Sequence, residues 1–313
     1  RSFWNCASKW TKTGATMSVN SSNTATSMAQ APFPDRQTRL AFPNAKVNLG
    51  LQVRQRRPDG FHNIESLFVP IGWKDTLELE VPTKGSQNTL NAHGLTIPGP
   101  RSHNLIFKAH DLLSQAWEIP PVCFHLIKAI PMGAGLGGGS SDGAFALHML
   151  NEHFNLGLTV QRLESLAAQL GSDCPFFIRN TPAHVSGRGE HIQPLQLRLD
   201  GWWIMVLHPN VHVSTPQAFG WVSPNDQRPS LSNWENSTPG DWTTELQNDF
   251  TAPISERFPE VAKALKLLRS YGAAFTDMSG SGSAVFGCFS TEPDPSWSRA
   301  LPEGWSAWMG PMA

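Results

Sequence analysis

Between Lys46 and Arg54 apolar and polar positions alternate strictly. Val47, Leu49, Leu51 and Val53 fall on one face, and Lys46, Asn48, Gln52 and Arg54 on the other. A period of two predicts a half-buried strand, with Gly50 leaving space beside the polar pair Lys46 and Asn48. The basic stretch Arg54-Gln55-Arg56-Arg57-Pro58-Asp59-Gly60 follows, and its Pro-Asp-Gly end predicts a turn leading into Phe61 and His62. Alternation returns from Thr76 to Val81. Leu105, Ala109, Leu112 and Ala116 then recur at helical spacing, with Asn104 near the start. Val122 to Ile127 reads as a strand and ends at Lys128.

A second helical pattern runs through Ala144, Leu147, Leu150 and Phe154. Thr159 caps a third, carrying Leu163, Leu166, Ala167 and Leu170, which Gly171 stops. Directly after that stop stands Asp173, ahead of the apolar run Phe176-Phe177-Ile178. A carboxylate there is a helix cap or a functional group, and the pattern leaves both open. A Gly-rich bend, Ser186 to Gly189, precedes the apolar strand Trp202 to Leu207. A domain boundary is placed here, between residues 190 and 191. Residues 223–245, rich in Pro, Asn, Ser and Asp, read as a lid or as plain surface. A helix spans Pro259 to Tyr271, and a glycine loop, Ser279 to Ser283, opens onto a strand from Ala284 to Phe289.

The richest chemistry lies between the strand at 122–127 and the helix that follows, where the chain reads Pro131-Met132-Gly133-Ala134-Gly135-Leu136-Gly137-Gly138-Gly139-Ser140-Ser141. Such a backbone can adopt positive φ and approach a bulky ligand closely. Ser140 and Ser141 fall where a helix begins, with free N–H groups and the positive end of the dipole, which together bind phosphate. A flexible linker would not be framed by a strand and an apolar helix. The loop lacks the Gly-Lys-Ser/Thr ending of a Walker A motif, and no acidic residue at 155–160 completes a dinucleotide fingerprint.

Composition narrows the partners. With 24 Lys and Arg against 25 Asp and Glu, net charge is −1, which predicts no nucleic-acid face. No run of 18 apolar residues exists, so no membrane span is expected. Cys6, Cys123, Cys174 and Cys288 show neither metal-site nor disulfide spacing, consistent with a reducing compartment. No metal ligands are assigned. Residues 1–37 contain no acid before Asp35 and are rich in Ser, Thr, Asn and Ala, the composition of a disordered leader. Met28 is a candidate start that would leave the protein cytoplasmic. The alternative, a transit peptide, would place it in the plastid stroma. Removing residues 1–37 is expected to spare the fold and its activity.

The glycine loop resembles the nucleotide loop of the GHMP kinases. Further motifs match one branch of that family in order: Asn44 to Leu51, Arg57 to Phe68, Pro131 to Asp142, Gly171 to Phe177, Ser214 to Phe219 and Met278 to Phe286. That branch phosphorylates the 2-hydroxyl of a cytidine diphosphate-linked methylerythritol for non-mevalonate isoprenoid synthesis. Arg57-Pro58-Asp59-Gly60-Phe61-His62 is its most specific mark. The resemblance implies a two-domain α+β fold. Residues 38–190 would form an ATP-binding half like domain 2 of ribosomal protein S5, and residues 191–313 a ferredoxin-like substrate half. It implies Asp173 as catalytic base with Lys46 as its partner, and ATP bound by residues 131–141, with Asn104 and Lys128 near the adenosine. Phe61, His62 and Phe219 would hold cytosine, Asn48 and Thr215 would serve the acceptor, and Mg²⁺ would accompany ATP. The partner is a small molecule; monomer and homodimer both stay open. Phe61 stands where the branch often has Tyr, and Asp142 where it often has Asn, which leaves the role of Asp142 open. Another GHMP small-molecule kinase, or a non-catalytic nucleotide-binding relative, is the alternative.

Overall fold

The computed structural model describes residues 38–82, 87–242 and 246–312. The expectations for residues 1–37 lie outside them. In chain order the strands β1 (Arg39–Ala41), β2 (Asn44–Arg56), β3 (His62–Lys74), β4 (Thr76–Glu80) and β5 (Thr89–Gly94) lead to helix α1 (Leu105–Ser114) and strand β6 (Cys123–Lys128). Helices α2 (Gly138–His153), α3 (Val160–Leu170) and α4 (Cys174–Arg179) follow, then strands β7 (Ala183–Gly187), β8 (His191–Pro194) and β9 (Trp203–His208). The last part contains α5 (Thr215–Phe219), α6 (Thr251–Arg257), α7 (Pro259–Ser270), β10 (Phe275–Met278), β11 (Val285–Phe289) and β12 (Ser306–Pro311). The fold is α+β, with three four-stranded sheets ordered β1-β4-β6-β5, β2-β3-β7-β8 and β10-β11-β9-β12.

The basic turn closes the β2–β3 hairpin as its Pro-Asp-Gly chemistry predicts. The Gly60 N–H donates to the Arg57 carbonyl at 3.1 Å, and the Arg57 N–H to that of Phe61 at 2.8 Å. Two features of β2 depart from the alternation read in the sequence. The strand is buried on both faces from Asn44 to Val53, not half-buried. Its register also slips between Leu49 and Leu51, where Gly50 takes φ +59°. A Cβ at Gly50 would collide with the Leu246 carbonyl, so the space beside Lys46 and Asn48 is filled by backbone from the far end of the chain. The bulge also turns the strand over. Ala45, Val47 and Leu49 enter one core with Val69, Ile204 and Phe286, whereas Leu51 and Val53 enter a second with Met205, Leu207 and Leu265.

Those two cores lie on opposite faces of the third sheet, because β9 sends Ile204 and Val206 to one and Met205 and Leu207 to the other. Strand β8 still pairs with β7 in the second sheet, so the chain leaves that sheet only after Pro194. Residues 223–245 are anchored at several described points: Leu231 and Trp242 are buried in the first core, and the Asn225 N–H donates to the Val53 carbonyl at 2.9 Å. Among the described residues no helix is long and apolar enough to cross a membrane.

Candidate active site

Gly137 caps α2 with φ +70°, and Gly133 and Gly135 precede it at +65° and +81°. The loop therefore turns three times through conformations that L side chains avoid, then presents the N-terminal amides of a 16-residue helix. Two cavities meet on it. One, of about 390 Å³, is lined by Asn104, Met132, Gly139 and Ser140. The other, a cleft of about 1220 Å³, is lined by Lys46, Asn48, Asp173, His62, Thr215 and Phe219. Gly133, Gly135 and Gly137 line both. Whatever passes between the cavities passes over these glycines.

Lys46 and Asp173 stand at that junction. The Lys46 ammonium lies 3.4 Å from the Asp173 carboxylate, donates to Asn48 Oδ1, and sits 4.4 Å from the centre of the Phe68 ring. Its side chain is 3% exposed against 33% for Asp173. Burial pulls the Lys46 pKa down, and the Asp173 charge and hydrogen bond oppose that pull. The sequence left Asp173 between cap and functional group. It occupies the N-cap position of α4 but makes no side-chain capping hydrogen bond and turns toward Lys46 instead. The local pattern could not reveal this, because the partner lies 127 positions upstream.

Asn48 ties the pair to two other segments. Its side-chain amide donates to Ser66 Oγ at 2.9 Å, and its backbone N–H donates to Ser279 Oγ at 3.1 Å. At the far end of the cleft His62 stacks on Phe219 with centroids 4.8 Å apart, while Phe219 meets Phe250 edge-on. His62 and Phe219 thus pack on each other and leave no slot between them. Phe61, 56% exposed, carries the Arg188 guanidinium 4.5 Å above its ring. Burial and the nearby Arg56 charge lower the His62 pKa, which favours the neutral imidazole. Thr215 Oγ1 and Ser281 Oγ share a hydrogen bond of 2.9 Å. No local sequence signal assigns Arg188, Ser66, Ser279 or Ser281 to the site. The second glycine loop was visible as a motif, but nothing local said what it packs against.

Three of the residues expected at the nucleotide do not line the 390 Å³ cavity with their side chains. Leu136 is buried in the core and reaches the site only through its carbonyl, which accepts the Lys46 N–H at 3.0 Å. Ser141 is fully buried, and its hydroxyl has no hydrogen-bond partner among the described residues. Lys128 departs furthest. Its ammonium is wholly buried and binds the carboxylates of Asp75 and, at 2.7 Å, Asp142. An ammonium taken out of water needs such partners. It braces the first turn of α2 from behind instead of lining the 390 Å³ cavity. This also places Asp142: burial pushes its carboxyl up to about 7 against the pull of Lys128, with Asp75 adding to the rise. Asn104 lines the cavity as expected and also caps α1, its side-chain oxygen accepting the Ile106 N–H at 2.9 Å. Among the described residues no group of three or more His, Cys, Asp or Glu could hold a metal ion.

Family models agree with this architecture. The N-terminal domain model of the GHMP kinases matches residues 104–181 and their C-terminal model residues 235–306. A crystal structure of 4-(cytidine 5'-diphospho)-2C-methyl-D-erythritol kinase superposes with a TM-score of 0.70 at 33% identity, covering 87% of this chain and 98% of that one. The mevalonate kinase of Methanococcus jannaschii gives 0.64 at 10% identity over 88% of this chain and 99% of its own, a likeness of fold alone. The fold is that of a GHMP kinase. Within that class, 4-diphosphocytidyl-2-C-methyl-D-erythritol kinase of Cytophaga hutchinsonii is 43% identical over 256 residues, 82% of this chain and 94% of the relative. The chain belongs to the 4-diphosphocytidyl-2-C-methyl-D-erythritol kinase family.

Proposed function

We propose that the protein transfers the γ-phosphoryl group of ATP to the 2-hydroxyl of 4-diphosphocytidyl-2-C-methyl-D-erythritol. The observation that carries this reading is the Lys46–Asp173 pair, 3.4 Å apart, beside glycines shared by a nucleotide-sized cavity and an aromatic-ended cleft. ATP lies along the Pro131–Ser141 loop, its phosphates on the loop and α2 amides and its adenosine toward Asn104. Phosphoryl transfer asks mainly for alignment and charge neutralisation, which fixed amides supply without rearranging. Asp173 accepts the proton of the acceptor hydroxyl as that oxygen attacks. Lys46, held by Asn48, pairs with Asp173 and faces the charge that develops on the transferred group. The half-buried Ser140 on the cavity wall could offer a hydroxyl to Mg²⁺, which would supply charge neutralisation at the ATP phosphates.

The cytidine end lies at Phe61, His62 and Phe219. Because His62 covers one face of Phe219, the base stacks on the exposed Phe61 ring, where Arg188 now rests. A neutral imidazole offers one donor and one acceptor to a pyrimidine edge. We place the ATP-binding half in residues 38–190, extended through β8 to Pro194 by its pairing with β7, the substrate half in the residues that follow, and the protein in the cytoplasm. Turnover assays with purified protein test the reading. It predicts ATP-dependent phosphorylation of the cytidine compound, with mevalonate, homoserine and galactose untouched and Phe219→Ala acting mainly on the acceptor KM. Turnover of mevalonate or homoserine in place of the cytidine compound would assign the site to another GHMP kinase. ATP binding without turnover of any acceptor would favour a non-catalytic role.

A further inference from the structure

The second glycine loop, Ser279–Ser283, touches both halves of the proposed machinery. Ser279 Oγ donates to the Gly135 carbonyl at 2.8 Å and accepts the Asn48 N–H at 3.1 Å. The Ala284 N–H reaches the Ala134 carbonyl at 3.1 Å. Gly280, at φ +57°, packs so closely that a Cβ would lie 3.2 Å from the Gly135 Cα and 3.4 Å from Asn48 Oδ1. The loop is therefore the backing against which the phosphate loop and the Lys46–Asn48 segment both rest.

One side chain holds that backing from behind. Asn248, 3% exposed, donates its two amide protons to the carbonyls of Met278 and Gly280, each at 2.7 Å. Its side-chain oxygen accepts the Phe250 N–H at 3.0 Å, and its backbone N–H donates to Asp277 at 2.8 Å. The same segment is pinned to β2: Asn248 bridges Leu51, and the Asp249 N–H donates to the Leu51 carbonyl at 2.8 Å. We propose that Asn248 is a positioning residue for phosphoryl transfer, clamping the carbonyls on either side of Ser279 so that the glycine loop keeps its distance from Lys46 and Asp173. A buried asparagine that merely filled its own hydrogen bonds would have no reason to place both donors astride the one serine joined to Asn48 and Gly135. The inference rests on the kinase reading of the site.

Asn248→Ala leaves two buried carbonyls without donors in a segment whose glycines at 280 and 282 resist little displacement. A misplacement of about 1 Å at such a site can cost on the order of 10²-fold in rate. The expected result is a kcat lower by roughly 10- to 100-fold, with any rise in the KM of either substrate smaller than the loss in kcat, since the groups that contact the substrates keep their chemistry. Hydrogen–deuterium exchange of residues 277–284 in the ligand-free protein should accelerate at the same time. Asn248→Asp supplies a second arm if the alanine variant does not fold. It keeps the shape but faces two carbonyls with a carboxylate, so its deficit relative to wild type should narrow as pH falls and the carboxyl regains a proton to donate. A folded Asn248→Ala with wild-type kcat and unchanged exchange, or an Asn248→Asp deficit independent of pH, would overturn the proposal. Turnover by the wild-type protein tests the kinase reading separately, and the exchange measurement needs no substrate.

Discussion

Lys46 is a lysine taken out of water beside a single carboxylate. Burial favours its neutral form, and the Asp173 charge works against that loss without overcoming it. Its folded pKa therefore lies below the ordinary 10.5, and the ammonium on which charge neutralisation depends is lost at a lower pH than in an exposed lysine. A pH–rate profile should show an alkaline fall in kcat that begins below 10.5; a plateau running past that value would contradict the placement of Lys46. At this scale the sequence displayed the residues but not their surroundings. Alternation around Lys46 and Asn48 reads the same whether the polar face meets solvent or, as here, backbone from Leu246 and the side chain of Ser279. Lys128 shows the converse, since its two buried carboxylate partners are 53 positions before it and 14 after.

The glycine loop was legible as an element because its composition, its preceding strand and its following helix all pointed one way. What the pattern could not supply was the reason for individual glycines. Gly135 combines φ +81° with a position where any Cβ would strike the Ser279 carbonyl, so both backbone freedom and absence of a side chain are required there. Gly135→Ala should weaken ATP binding strongly and cost stability, by about 1–2 kcal/mol from the backbone conformation alone. Nucleotide titration by calorimetry, paired with thermal melts, checks this; wild-type affinity in the alanine variant would mean that the second glycine loop does not support the first. Strand β2 was equally visible, yet its bulge was not. Leu51 and Val53 extend the same alternation as Val47 and Leu49 by sequence but enter a different core.

Across the whole molecule, Glu65 joins segments far apart in the chain. Its carboxylate accepts from His184 Nε2 at 2.6 Å, the Leu231 N–H at 2.8 Å, Ser230 Oγ and the Arg54 guanidinium, tying β3 to β7 and to the segment that precedes Leu231. Burial alone would raise its pKa; the hydrogen bonds from His184, Ser230, Arg54 and Leu231 together outweigh burial and hold it at about 2. A folded pKa below the unfolded 4.5 contributes stability above pH 4.5 that disappears as pH falls toward 2. Glu65→Gln should therefore lower stability near neutral pH by about 1–3 kcal/mol, and the gap to wild type should close through the acidic window. A gap that stayed constant with pH in melts or denaturant titrations would contradict this account. Such long-range cross-links, with partners 119 and 166 positions from Glu65, explain why the short strands β7 and β8 and the seating of residues 223–245 were not read from the sequence.

In the proposed reaction Asp173 takes the acceptor proton beside the Lys46 ammonium. Asp173→Asn tests it most directly, because the change preserves shape and removes the base. With ATP affinity checked by calorimetry, kcat should fall by about 10²–10⁴-fold while nucleotide binding stays close to wild type. Adding Lys46→Ala should cost less than the two single losses combined, as expected of residues acting as a unit. A kcat within a few-fold of wild type in folded, ATP-binding Asp173→Asn would contradict the account.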